Sequence, residues 1–198
     1  MRSKLLLSLM LSCWTALTPV AAMARVTDIQ PQSTTEAPSA TDPALSQATI
    51  DLELDRFRRT EVSLHQALRV AEKLHPGSKT ADISFEGGLG APVYKVRTLL
   101  KGQIWESDID CATAKVLSSV LFSTVQGLNE GDRTSLAALN GIALRMSDAI
   151  RIAERSAAGK AISGGLITKD GKLAFIIVVV SGKDLKQVTL EPTSLRRR

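Results

Sequence analysis

Ala67-Leu68-Arg69-Val70-Ala71-Glu72-Lys73 returns 82 residues later as Ala149-Ile150-Arg151-Ile152-Ala153-Glu154-Arg155, every position identical or conservatively replaced. Around the first stretch, Leu64, Ala67, Leu68, Ala71 and Leu74 fall at the spacing of one helix face. Ser63 with Gln66 three residues on reads as a capping box, and Pro76-Gly77 as a stop. Around the second, Met146, Ala149, Ile150 and Ala153 repeat the stripe, and Gly159 repeats the break.

The segments after each helix also repeat. Ala81–Phe85 and Ile162–Thr168 read as strands, ended by the turns Glu86-Gly87-Gly88-Leu89-Gly90 and Lys169-Asp170-Gly171-Lys172. Val93–Leu100, the turn Lys101-Gly102 and Gln103–Ile109 form one hairpin; Leu173–Val180, Ser181-Gly182-Lys183-Asp184 and Leu185–Leu190 form the other. A fixed offset with a fixed order of elements is the signature of duplication. The expected fold is α+β, two tandem units, each one amphipathic helix packed on a small antiparallel sheet. Units of about 50–60 residues have marginal cores, so the two should pack together. Phe175–Val180 is apolar at every position, which suits a strand covered on both faces, central or at an interface between copies.

Working outward, residues 1–24 read as a signal peptide. Arg2 and Lys4 precede the apolar run Leu5–Trp14, Pro19 breaks it, and Ala22-Met23-Ala24 supplies the small residues of a cleavage site. The run is too short to span a bilayer, which takes about 20 apolar residues. Cys13 behind Ser12 gives a lesser alternative, a lipoprotein anchor that would tether the chain to a membrane, although Met10 and Leu11 fit that pattern poorly. Residues 25–58 read as a flexible linker: Pro31–Pro43 holds almost no large apolar side chain, and a short charged helix over 47–59 is the one element it could contain. The first unit then spans 59–118, a partly helical connecting segment 119–144, the second, degenerate unit 145–193, and a basic tail 194–198. The localisation implied is periplasmic or secreted.

The net charge of +5 loses two cations and no acid with residues 1–24, leaving +3. That balance makes no electrostatic case for nucleic acid, and Arg196-Arg197-Arg198 reads as a solvated tail with anionic lipid as its other possible contact. With Cys13 gone, Cys111 is the only thiol, so no internal disulfide can form; it is buried or it pairs with another chain. His65 and His75 are the only histidines, one at each end of the same predicted helix. Gly87-Gly88-Leu89-Gly90 lacks the Lys-Ser/Thr of a phosphate loop. No catalytic residue, no cofactor and no enzymatic activity are expected. Glu106, Asp108 and Asp110 alternate along a strand and share a face, a candidate row for Ca²⁺ whose ordinary reading is a solvated acidic surface. Tyr94 and Trp105 are candidate contact residues, since large aromatics anchor interfaces, with core packing as the competing fate.

The first unit resembles the PepSY domain. The residues that carry the resemblance are Ala67 and Ala71 on the helix, Pro76-Gly77, Gly87-Gly88, Pro92-Val93-Tyr94-Lys95-Val96, and Asp110-Cys111-Ala112-Thr113-Ala114-Lys115-Val116-Leu117. Ala114 stands where the family favours glycine. In the second unit Phe175 takes the place of the tyrosine, and Glu191-Pro192-Thr193 matches the terminal motif only loosely. The resemblance implies a secreted or membrane-tethered chain without catalytic residues. The family occurs in propeptides of thermolysin-like metalloproteases, so it also implies a binding module that restrains or regulates an envelope protein, a protease in the sharpest form. The alternative is a structural or scaffolding protein that self-associates as a homodimer through Phe175–Val180.

Overall fold

The computed structural model describes residues 43–192 apart from Leu89, Asp170 and Gly171. The signal peptide, Cys13, residues 25–42 and the basic tail lie outside the described residues, as do those three turn positions. Helix α1 spans Pro43–Arg58 and α2 spans Leu64–Leu74. Strands β1 (Lys79–Glu86), β2 (Val93–Leu100), β3 (Gln103–Asp110) and β4 (Val116–Thr124) come next. A 3₁₀ turn at Val125–Gly127 leads to α3 (Glu130–Asn140) and α4 (Met146–Ala157). Strands β5 (Lys160–Lys169), β6 (Lys172–Ser181) and β7 (Asp184–Leu190) are the last elements of the described residues.

The seven strands of the described residues join one antiparallel sheet in the order β4-β3-β2-β1-β5-β6-β7. The join between the halves is short: β1 meets β5 through Ile83 opposite Gly164 and Ser84 opposite Ser163. Helix α2 packs on β1, β2 and β3, α4 packs on β5, β6 and β7, and the two helices touch. Alternation along the strands sends Ile83, Phe85, Tyr94, Val96 and Ile109 toward α2, and Phe175, Ile177 and Val179 toward α4; all are buried. The expected helical stripes supply the facing side: Leu64, Ala67, Leu68 and Ala71, then Met146, Ala149, Ile150 and Ala153. Each large side chain buried this way contributes roughly 1.5–3 kcal/mol.

Local chemistry sets the boundaries. Ser63 and Gln66 form the predicted capping box, with Ser63 Oγ accepting from Gln66 N and Gln66 Oε1 accepting from Ser63 N at 2.9 Å. Lys101 and Gly102 both take positive φ between the paired residues Leu100 and Gln103, the two-residue turn whose twist suits a hairpin. Ala114, where glycine was expected, sits at φ 58°, the left-handed region that glycine fills at no steric cost.

Thr80 donates to Glu72 on α2 at 3.0 Å, so the preceding residue, Lys79, points to the opposite face. There its Nζ donates to the carbonyls of Leu139, Asn140 and Ile142 at 2.8, 3.1 and 3.3 Å. A cation against the orphan carbonyls at a helix end is favourable, and it fixes α3 on the face away from α2.

Three sequence expectations need correction. The linker read over 25–58 is helical from Pro43, so the short charged helix allowed over 47–59 is present and starts four residues earlier. Leu54 and Phe57 are buried, and Arg56 donates to the carbonyls of Gly87 and Gly88, which ties α1 to the sheet. The segment read as a connection over 119–144 begins inside β4, a full strand paired with β3, so the unit boundary at 118 cuts through it. Phe175–Val180 lies in β6, hydrogen-bonded on both edges by β5 and β7, which removes it as a dimer-forming strand.

Candidate functional site

The two aromatic candidates part company. Tyr94 is fully buried, and its hydroxyl donates to Val62 O at 2.7 Å, so it belongs to the core and not to a contact surface. Its register position on β2 faces α2, and the period of the strand decides its fate. Trp105 on β3 is half-buried one strand in from the sheet edge, opposite Leu121 of β4. His75, just past the end of α2, stacks on it at 4.5 Å and 29°, and His75 Nε2 lies 3.1 Å from Ser119 Oγ on β4. His65, at the start of α2, is about three turns away, so the two histidines form no joint site.

The acidic row does not form as one site. Glu106 accepts from Arg97 Nε at 2.8 Å and lies 3.6 Å from Lys95 Nζ. Lys95 also approaches Glu86 at 3.5 Å and Asp108 at 3.9 Å. Asp110 turns into its own loop, accepting from Thr113 Oγ1, Thr113 N and Ala112 N, and the Thr113 hydroxyl above all holds its pKa below the ordinary range. Among the described residues no group of three His, Cys, Asp or Glu side chains is arranged to hold a metal ion. Cys111 is buried, and burial pushes its thiol up to about 12, which keeps it protonated and out of reach of a thiol on another chain.

Sequence reasoning missed Asp82. It sits beside the Lys95–Arg97 ladder, where burial raises its pKa to about 6 against the pull of Arg97, with Glu106 and Glu86 raising it further. The folded chain therefore binds this proton more tightly than the unfolded chain. The stabilisation is complete below the unfolded value near 4 and is lost as pH rises through about 6. Asp82→Asn should raise stability by about 1–2 kcal/mol at neutral pH and leave it nearly unchanged near pH 4. Urea midpoints at the two pH values test this; equal gains at both would rule out titration of Asp82 as the cause.

Sequence reasoning also missed the surface along β4. Val116, Leu117, Val120, Leu121 and Phe122 are 38%, 56%, 53%, 48% and 49% exposed, half of the ten exposed large hydrophobic residues among those described. Leu74 and the His75–Trp105 stack continue the patch on one face. Arg97 lies over the Phe122 ring on the other, 4.3 Å from its centroid. The available signal was composition: Val-Leu-Ser-Ser-Val-Leu-Phe-Ser-Thr is uncharged and rich in strand formers, but it lacks the period-two alternation of a half-buried strand.

Comparison with known proteins places the first half. No curated protein matches the chain. Among solved structures it resembles a candidate lipoprotein from Clostridium difficile 630, at 20% identity over 69% of this chain and 92% of that one, with a TM-score of 0.38. The family described as the peptidase propeptide and YPEB domain matches residues 61–120, which begin two residues before the cap of α2 and end inside β4. Residues 61–120 of this chain are therefore similar to the PepSY domain.

Proposed function

We propose that the chain is an exported, non-enzymatic binding module that restrains or regulates an envelope protein, with a protease as the partner. The carrying observation is the PepSY match over 61–120, in a family whose description includes peptidase propeptides. Non-catalytic action fits side chains engaged elsewhere: Tyr94 and Cys111 are in the core, and Glu106 is paired with Arg97 and Lys95. Export rests on the sequence pattern of residues 1–24. Among the described residues no helix is long and apolar enough to cross a membrane. The tandem reading belongs to the same proposal. The order α2-β1-β2-β3 and then α4-β5-β6-β7, each helix on its own three strands, supports residues 145–193 as a degenerate second copy.

Affinity capture from envelope extract, with the chain as bait, tests the function. The expected result is a protease recovered in stoichiometric amount. Recovery of copies of the chain alone would overturn the regulatory reading in favour of a scaffolding protein.

A further inference from the structure

The two edges of the sheet differ in kind. β7 carries Asp184 and Lys186 within seven residues, the charges that discourage strand addition. β4 carries no charge and no proline in nine residues, and its exposed apolar side chains flank the edge on both faces. Among the described residues β3 alone pairs with it, and no described strand covers its outer N–H and C=O groups. Such an edge is a template for pairing.

We infer that β4 is a docking strand for a second copy of this chain, paired antiparallel about Val120. Self-complementarity of the strand supports this pairing. A two-fold axis at Val120 sets Val120 against itself, Ser119 against Leu121 and Ser118 against Phe122, with side chains on matching faces. β4 carries a bulge at each end, where Phe122 and Leu117 have no partner on β3, and between them Ser118–Leu121 stays in regular register with β3. No like charges meet within the seam, because the strand has none.

The charges behind the seam are complementary too. Arg97 lies over Phe122, while Ser118 donates to Asp108 Oδ2 at 2.9 Å. Asp108 Oδ1 is buried and accepts no hydrogen bond among the described residues, with Lys95 Nζ 3.9 Å away. Setting Phe122 against Ser118 of the second copy brings the Arg97 of each copy toward the Asp108 of the other, twice by symmetry. Two seven-stranded sheets then join into one. This pairing leaves β7 and the helical layer free, and it does not depend on the identity of any envelope partner.

Sedimentation equilibrium on the purified chain tests the inference, with two variants. Wild type should be a dimer at concentrations up to about 100 µM, well above a micromolar Kd. Val120→Lys sets two like charges face to face on the axis and should weaken association at least about tenfold. Its melting temperature at low concentration should stay near that of wild-type monomer, since Val120 is already half exposed. Leu185→Lys on β7 should leave the dimer intact. A wild-type monomer at the highest concentration overturns the inference. So does a dimer that survives Val120→Lys, or one that only Leu185→Lys dissolves.

Discussion

Tyr94→Ala should lower the stability of the chain by about 3–5 kcal/mol, the usual cost of truncating a fully buried aromatic ring. The ring ties together segments that are distant in sequence. It meets Phe85 of β1 at 5.9 Å and 64°, and Phe85 meets Phe57 of α1 at 5.3 Å and 68°. Its hydroxyl donates to Val62 O, beside the cap of α2, and lies 3.3 Å from Thr60 Oγ1. Burial pushes its pKa up to about 12, so the hydroxyl keeps its proton and its role as donor across the ordinary range. Tyr94→Phe keeps the ring and strands the Val62 carbonyl, for a smaller loss of about 1–2 kcal/mol. Urea unfolding with an unchanged m-value is the measurement. A loss near zero for Tyr94→Ala would return the residue to a contact role at the surface.

Gly159→Ala should be destabilising by about 3 kcal/mol, at the upper end of overpacking costs, because its obstacle is backbone. A Cβ there would clash with Val180 O and stand 2.8 Å from both Val180 C and Val179 Cγ1. The left-handed residue at the end of α4 is its neighbour, Ala158, at φ 53°. The glycine is therefore required for close approach of chain to chain and not for turn geometry. Ala158→Gly, by contrast, should be neutral or stabilising by up to about 1 kcal/mol. Thermal or urea unfolding of the two variants separates the explanations. A larger loss at Ala158 than at Gly159 would reverse the assignment.

Where burial follows a regular period, the fold was legible. The stripes of α2 and α4, the capping box and the Lys101-Gly102 turn are local signals that tertiary structure had no reason to override. Phe175–Val180 read as a strand covered on both faces; it is a paired strand next to the sheet edge, with Phe175, Ile177 and Val179 buried and Ile176 and Val178 only half-buried. The misses share a cause. Among the described side chains of α1, Leu54 and Phe57 are buried while Ile50 and Leu52 are exposed, so the apolar stripe that would mark a packed helix is short. β4 exposes apolar residues on both faces, so it shows no alternation to detect. The candidate site failed for a related reason. Strand period placed Glu106 and Asp108 on one face correctly, but only the neighbouring strand reveals Lys95 and Arg97 opposite them. Tyr94 and Trp105 looked equivalent as aromatics, and they differ because register turns one fully into the core and leaves the other near the edge.

The two halves share one sheet and one core across the short β1–β5 join, and the rest of the fold depends on that continuity. Amide hydrogen exchange on Gly159→Ala tests this most directly, because the substitution lies in the second half. One cooperative core predicts that amides of β1, β2 and β3 lose as much protection as those of β5 and β6. Faster exchange confined to β5–β7, with β1–β3 as protected as in the unaltered chain, would show two units that fold independently and would contradict it.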